Sequence, residues 1–185
     1  GFIVNRLLVP FMLDGINATA DQRAQVKKIA EAARGDRQAH REAGLKLREQ
    51  AIFWIGQQRD AEDADVLTNL YGRGSHEDIK DKIIFSLSQV RSAATDKWLV
   101  DLAMNEREPV ETRKKALFWA GQSRSANVEA IAGMYDRLSN QEMKEQVIFV
   151  LSQRSRDTAA IDKLFDIAKN DKDRHLRSRA IFWLG

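Results

Sequence analysis

The sequence predicts an all-α protein, built as a right-handed α-solenoid of about five helix pairs. One phenylalanine-centred segment recurs five times, shorter amphipathic stretches alternate with it, and only two prolines interrupt the 185 residues. Because proline costs a helix interior about 3 kcal/mol, a chain with so few prolines is free to be helical over most of its length.

The recurring segment keeps its register along the chain. Each copy has two aliphatic residues, Phe, a variable residue, another aliphatic residue, and Gly or Ser, and the first four copies continue with Gln. A basic residue lies five positions before each Phe. The phenylalanines are separated by 32, 33, 31 and 33 residues and are Phe53, Phe85, Phe118, Phe149 and Phe182. Such regular spacing indicates a repeat protein.

The stretches between copies predict a second, outer helix for each repeat. Their apolar residues recur at three- and four-residue steps, as in Ile161, Leu164 and Phe165. Pro109 fits the start of an inner helix, where its missing N–H costs nothing. A single pair cannot bury its apolar stripe, so the copies must stack. We expect inner helices near 46–57, 77–89, 109–122, 140–153 and 172–185.

The repeat domain is predicted to cover residues 19–185 and to follow an apolar segment at 1–18. A helix is expected over 19–34, with Thr19 and Asp21 near its start. Residues 18–22 resemble the LTxxQ-type helices of small bacterial periplasmic stress chaperones, and the alternative is a helical cap on the solenoid. The chain starts with Gly and stops inside a copy, so we expect a fragment of a longer protein.

The inner-helix pattern resembles HEAT repeats. An aliphatic residue, a basic residue, Ala four positions after the first and Leu-Gly eight and nine positions after it occur at Leu176, Arg177, Ala180, Leu184 and Gly185. The resemblance covers residues 46–185, although the second and fourth copies have Ser in place of Gly. It implies an armadillo-like superhelix whose inner helices line a concave groove, and a bacterial scaffold protein.

A helical wheel separates each phenylalanine from the core. At 100° per residue with Phe at 0°, the aliphatic positions fall between about 120° and 260°, and the Gln lies near 40°. We therefore expect a ladder of aromatic and amide side chains that contacts a partner in the groove. Its members are Phe53, Phe85, Phe118, Phe149, Phe182, Gln57, Gln89, Gln122 and Gln153. The alternative is that each Phe packs against the next repeat.

Three further rows repeat along the chain. Trp54, Trp119 and Trp183 follow Phe in the odd copies, where we expect them to pack at the edge of the core. The basic residues five positions before Phe are expected to link repeats through hydrogen bonds and ion pairs. A second basic row, six positions after Phe at the end of the inner helix, supplies possible anion contacts at Arg59, Arg91 and Arg124.

Composition removes several classes of function. Without cysteine the chain cannot form disulfides, thiolate metal sites or a cysteine nucleophile. No Gly-rich phosphate loop or metal-ligand spacing is present. The apolar start is too short and too polar for a membrane span of about 20 residues. We therefore expect no catalytic residue, no metal, no cofactor and no membrane insertion, and the chain is not expected to be an enzyme.

The sequence predicts a protein–protein interaction scaffold that binds a peptide or protein on its concave face. The net charge of +3 comes from 30 basic and 27 acidic residues, which is a mixed surface. The basic rows motivate one alternative, a nucleic-acid module similar to HEAT-repeat DNA glycosylases, although the interspersed acidic residues weigh against it. Another is an accessory subunit of a lyase-type enzyme, because these repeats also resemble the HEAT subunits of bilin lyases. Either the bacterial cytoplasm or the periplasm suits such a soluble protein.

Overall fold

The computed structural model describes residues 19–21, 23, 24, 26, 37–58, 61–72, 77–90, 92–123 and 125–185. Its described residues form helices and no strand, which confirms the all-α prediction. The segment 1–18, predicted as a separate apolar stretch, lies outside them. Nine helices have both ends described: α1 (Arg37–Gln58), α2 (Ala61–Gly72), α3 (Glu77–Val90), α4 (Ala93–Met104), α5 (Val110–Gln122), α6 (Val128–Arg137), α7 (Gln141–Ser152), α8 (Thr158–Asn170) and α9 (Arg174–Leu184).

Two kinds of helix alternate along the chain. The B helices α1, α3, α5, α7 and α9 carry the recurring Phe, and the A helices α2, α4, α6 and α8 precede the last four of them. Helix α1 begins at Arg37, well before the predicted start near 46. Residues 20, 21, 23, 24 and 26 are also helical, within the helix predicted over 19–34.

Polar side chains fix where most helices of the second half begin. In each case an oxygen accepts a backbone N–H of the first turn, which would otherwise lack a partner. Helix α5 instead begins after Pro109, which makes no side-chain cap bond. The capping residues are Ser92, Asn127, Asn140, Asp157 and Asp173. The short connections therefore set the helix starts, and with them the register of each copy.

The chain divides into two compact units, Gly1–Val90 and Arg91–Gly185. In the first unit, α1 packs on α2 and α3, and α2 packs on α3. In the second, α4 packs on α5, α6 on α7 and α8 on α9, while α5, α7 and α9 pack in succession and α6 packs on α8. The boundary lies between the second and third copies, where the repeat spacing shows no break.

The core of the second unit lies on the side of the B helices opposite Phe. The positions six, two and one before Phe and two after it are almost fully buried in α5 and α7. They are Thr112, Ala116, Leu117, Ala120, Met143, Val147, Ile148 and Leu151. These rows are the ones that the helical wheel assigns to the core, and their burial supplies the main stabilisation of the unit.

Glycines allow neighbouring B helices to come close together. A Cβ placed on Gly56 would lie 2.6 Å from the Cβ of Ser86, and one placed on Gly121 would overlap Cγ1 of Val150. In the odd copies this glycine lies three positions after Phe. The residue that faces it, Ser86 or Val150, lies directly after Phe in the next copy, which is an even one. A tryptophan would not fit at that facing position. This contact explains why Trp follows Phe only in odd copies.

The close approach predicts opposite effects for two Gly→Ala substitutions in the second unit. Gly121→Ala should lower the free energy of unfolding by about 1–3 kcal/mol, because its methyl group overlaps the stiff side chain of Val150. Gly133→Ala is the matched control, since this exposed glycine of α6 has no neighbour within 4 Å of an added Cβ. It should leave the protein unchanged or stabilise it by up to about 1 kcal/mol. Urea denaturation of both variants measures the difference, and equal effects would contradict the contact.

Candidate partner-binding site

The five ladder phenylalanines lie outside the buried core. Phe85, Phe118 and Phe149 are half-buried, and Phe53 and Phe182 are 44% and 68% exposed. Each therefore leaves part of its ring open to solvent on the side of the B helix away from the core rows. Their role in binding a partner stays a prediction.

Neighbouring copies of the second unit bring their aromatic rings together. The rings of Phe118 and Phe149 are stacked, with centroids 6.4 Å apart and planes 15° from parallel. Trp183 meets Phe149 at 5.7 Å with the planes nearly perpendicular, and Trp119 meets Phe118 in the same way at 5.1 Å. The alternative interpretation, that each Phe packs against the next repeat, therefore holds for Phe118 and Phe149, whose rings still remain partly exposed.

The first unit has a pocket between its two ladder phenylalanines. A cavity of about 460 Å³ lies between α1 and α3, and we call it the Phe53–Phe85 pocket. This volume lies within the range of about 300–1,000 Å³ that is typical of binding sites. Its lining residues are Lys46, Glu49, Gln50, Phe53, Lys82 and Phe85. All come from the Phe side of the B helices.

One polar atom beside this pocket is buried and unsatisfied. Oε1 of Gln50 has no hydrogen-bond partner within the described residues. Buried acceptors normally have a partner, so this oxygen is an unsatisfied acceptor of a residue that lines the pocket. The pocket also carries a small positive excess, because Lys46 and Lys82 outnumber Glu49 two to one.

The ladder glutamines form the outer edge of the same face. Gln57, Gln122 and Gln153 are exposed, and Gln89 is half-buried. In the even copies the serine that replaces Gly accepts a hydrogen bond from the glutamine amide, at 3.0 Å for Gln89 and 3.4 Å for Gln153. The same serine hydroxyl donates to the carbonyl of the ladder Phe. The even-copy glutamines are therefore held by their own helix.

An ion pair and a hydrogen bond join successive B helices of the second unit along the Phe side. The residue four before Phe pairs with the residue seven before Phe of the next copy. These pairs are Lys114 with Glu142 at 3.5 Å and Glu145 with His175 at 3.1 Å. A hydrogen bond to Glu111 is the main cause of a raised pKa for Lys114, and Glu142 adds to it. In the first unit the equivalent residues are Glu49 and Asp78, which cannot pair because both are acidic.

The predicted anion contacts Arg59, Arg91 and Arg124 all lie outside the described residues. A different arginine contacts the end of the B helix α5 in the second unit. Arg154 donates from Nε to the carbonyl of Gly121 at 2.9 Å, and from Nη2 to the carbonyl of Ser123. It thereby satisfies carbonyls at the C-terminal end of α5, where a cation is also favoured by the helix dipole. Sequence reasoning missed it because it lies one position before the predicted row.

Two of the basic residues five positions before Phe, Arg113 and Arg177, make hydrogen bonds within their own copies. Arg113, only 4% exposed, donates from Nε to the carbonyl of Ala103 at 2.9 Å. Arg177 donates to the carbonyl of Asp171 at 2.7 Å. These two bonds therefore do not link repeats as expected. Each of them joins a B helix to the end of the preceding A helix. The sequence predicts that this row of basic residues lies within the apolar side of the B helices, and Arg113 is buried on that side.

Even copies use lysine at this position and place it over a tyrosine ring. Nζ of Lys80 is 5.2 Å from the ring centre of Tyr71, and Nζ of Lys144 is 4.8 Å from that of Tyr135. Such cation–π contacts contribute about 0.5–2 kcal/mol, depending on how far the cation is removed from water. Arginine in odd copies and lysine in even copies thus contact different groups at one helix position.

Links between the fourth and fifth copies come from Tyr135 and Lys163. The buried Tyr135 hydroxyl donates to Oδ2 of Asp171 at 2.6 Å, and Lys163 donates to Asp136 at 2.7 Å. Burial raises the pKa of Tyr135 far above its ordinary value, and the Asp171 carboxylate adds to the shift. Burial opposes the charge on Lys163, but hydrogen bonds to Asp136 and Asp166 outweigh it, so the pKa of Lys163 is raised.

The same contacts lower the pKa of Asp171. Burial of this carboxyl acts in the opposite direction, but it is outweighed by the Tyr135 hydrogen bond, the backbone N–H of Asp173 and the nearby charges of Lys144 and Arg177. The pair therefore favours the ionised carboxylate.

No protein-family model, curated protein or solved structure matches the chain. Within the described residues, no helix is long and apolar enough to cross a membrane. The same part of the chain contains no group of three or more His, Cys, Asp or Glu side chains placed to hold a metal ion.

Tyr135→Phe should destabilise the protein at neutral pH by about 0.5–1.5 kcal/mol, because it removes a hydrogen bond to a carboxylate. A lowered native pKa stabilises the fold above the ordinary Asp pKa of about 3.9, and this contribution is lost as the pH falls through the native value. The variant should therefore lose less stability than the wild type on acidification through this range.

Thermal unfolding at neutral and acidic pH measures this loss. Asp171→Asn provides the control background for a double-mutant cycle, in which the effect of Tyr135→Phe should shrink. The hydrogen bond does not act in this way if Tyr135→Phe and the wild type are equally stable at neutral pH and lose the same amount of stability on acidification.

Proposed function

We propose that this chain is a non-catalytic protein-interaction scaffold, a right-handed HEAT-like α-solenoid that binds a peptide or protein segment along the Phe side of its B helices. The observation that carries the proposal is the Phe53–Phe85 pocket. It lies between two consecutive members of the ladder and is lined from positions of the repeat that face away from the core.

The packing within each unit supports the solenoid part of the proposal. B helices contact the next B helix, and α6 contacts the next A helix, α8. This arrangement stacks each helix pair on its neighbour, as a solenoid requires. The glycine contacts of Gly56 and Gly121 recur at the same position of the repeat. The HEAT identity itself is supported by the sequence pattern of the B helices.

The chemistry of the pocket supports a peptide ligand. Half-exposed aromatic rings supply area that an apolar side chain can bury, and aromatic residues are enriched among the residues that carry binding energy. The unsatisfied Oε1 of Gln50 suits a backbone N–H. Lys46 and Lys82 favour an acidic residue beside the apolar one. A short segment with an apolar and an acidic side chain is the ligand that matches these groups.

Charge on the same side of the second unit argues against a phosphate backbone as the main ligand. Glu111 and Glu142 pair there with Lys114, and Glu145 pairs with Arg179. A nucleic acid would need those cations for its phosphates. The nucleic-acid alternative and the lyase-accessory alternative have no comparable observation in their favour.

Peptides selected from a displayed random library against the wild-type protein test the proposal. Phe53→Ala and Lys82→Glu should each weaken the selected peptides about tenfold or more, because they remove ring area and the favourable charge. Phe165→Ala is the matched control, since Phe165 is 49% exposed, similar to Phe53, but lies on the A helix α8. Fluorescence anisotropy measures the affinities, and circular dichroism checks that helix content is unchanged.

Peptides that bind Phe53→Ala as tightly as wild type would overturn the proposal. An equal loss for Phe165→Ala would do the same, because it would show general adhesion to exposed rings. Selection of no peptide, together with tight and salt-dependent binding of duplex DNA, would favour the nucleic-acid alternative instead.

A further inference from the structure

A cavity lies between the A helices α4 and α6 of the second unit. Its volume is about 430 Å³, within the range of about 300–1,000 Å³ that is typical of ligand sites, and we call it the A-helix cavity. The buried residues Ala120 and Ile131 line it, together with Val100 of α4. An apolar group of several carbon atoms can therefore be buried there.

The late start of α6 explains why this space is open. Helix α6 has 10 residues and α8 has 13, although both end 12 positions before the Phe of their copy. The first three residues of α8, 158–160, correspond to residues 125–127, and the described residues among these are not helical. The wall that α4 supplies, from Ala93 to Val100, therefore faces a connection and not a helical turn.

A carboxylate is held in place on the wall of the A-helix cavity. Oδ2 of Asp96 accepts hydrogen bonds from the hydroxyls of Ser123 at 3.0 Å and Ser125 at 2.5 Å. Within the described residues Asp96 makes no ion pair. Lys97, which also lines the cavity, pairs instead with Asp101 at 2.5 Å. The charge of Asp96 therefore favours a cation in the cavity.

The next pair of A helices shows which kind of cation suits this position of the repeat. Ala130 of α6 lines the cavity, and Lys163 of α8 lies at the same position, 19 residues before the Phe of its copy. The side chain of Lys163 is only 13% exposed, and its ammonium group pairs with Asp136 of α6 and with Asp166. The chain thus supplies an alkyl stem and an ammonium group between α6 and α8, and Ala130 supplies neither between α4 and α6.

We propose that the A-helix cavity binds a small primary amine, whose alkyl chain lies against Val100 and Ile131 and whose ammonium group pairs with Asp96. Such an amine is protonated at neutral pH, as the lysine side chain is. Burial of the alkyl chain and a charge-assisted hydrogen bond to the carboxylate both favour binding. The cavity is separate from the Phe53–Phe85 pocket, so the inference does not rest on the proposed function.

Titration of the isotope-labelled wild-type protein with n-hexylammonium tests the proposal. The probe should shift the amide resonances of Val100 and Ala130 in a saturable way. The control ligand n-hexanol has the same alkyl chain and no charge. It should bind about fivefold more weakly or worse, because it lacks the charge-assisted bond to the carboxylate.

Asp96→Asn removes the charge and keeps an oxygen that can accept from the two serine hydroxyls. It should weaken n-hexylammonium about tenfold or more, because hydrogen bonds between charged groups are the stronger ones. Asp162→Asn is the matched control, since it removes one negative charge from an exposed position of α8. It should leave the affinity for n-hexylammonium unchanged.

Ala130→Lys places an alkylammonium group from the chain itself at the position that Lys163 occupies in α8. This variant should lose the saturable response to n-hexylammonium, because its own side chain occupies the cavity. Dispersed amide spectra check that each variant is folded. The comparison of the two ligands needs only the wild type, so it tests the proposal even if a variant does not fold.

The absence of saturable shifts at Val100 and Ala130 would overturn the proposal. Equal affinities for n-hexylammonium and n-hexanol would also overturn it, because the cavity would then have no preference for a cation. An equal loss in Asp96→Asn and Asp162→Asn would show that binding follows net charge and not this site. Undiminished binding to Ala130→Lys would place the probe outside the cavity.

Discussion

The close approach of successive B helices determines most of the architecture within each unit. A side chain of one helix occupies the space that a Cβ would take on the next, as Val150 does at Gly121 and Ser86 does at Gly56. Protein interiors are packed densely enough that one methyl group decides whether such a contact forms. The glycine therefore fixes which residue of the following helix lies opposite it. At the α1–α3 and α5–α7 interfaces the other rows meet in the register that this contact allows.

In this register the ladder phenylalanines of adjacent copies lie beside one another on neighbouring B helices. In the second unit this lets the rings of Phe118 and Phe149 stack, and a cross-copy ion pair and hydrogen bond lie beside them. In the first unit the corresponding charged positions hold two acids, and a pocket lies between Phe53 and Phe85. The same repeat pattern therefore forms a surface of stacked rings in the second unit and a pocket in the first unit.

The repeating sequence predicts much of this fold because burial follows the helical period. The core rows, the Phe side of the B helices and the start of α5 after Pro109 all follow from spacing and local chemistry. The pattern also showed that Trp alternates with Ser and Val, but not why. The reason is a contact with Gly56 and Gly121 across helices, and a one-dimensional pattern contains no distance between helices.

The sequence pattern did not predict several other features, for related reasons. Long side chains reach several ångströms, so their position on a wheel does not say which neighbour they contact. Arg113 lies inside the apolar arc as expected, yet it binds the carbonyl of Ala103 in its own copy and not a group of another repeat. Arg154 caps α5 from outside the predicted row. The unit boundary after Val90 leaves no mark on the repeat spacing.

The contact between Gly121 and Val150 can be measured directly by NMR. Selective methyl labelling of valine, combined with assignment of the α5 backbone, would resolve NOEs between the Val150 methyl protons and the Gly121 Hα protons. We expect strong NOEs from the Val150 methyl protons to Gly121 Hα. Assigned resonances without such NOEs would show that α5 and α7 do not meet at this glycine.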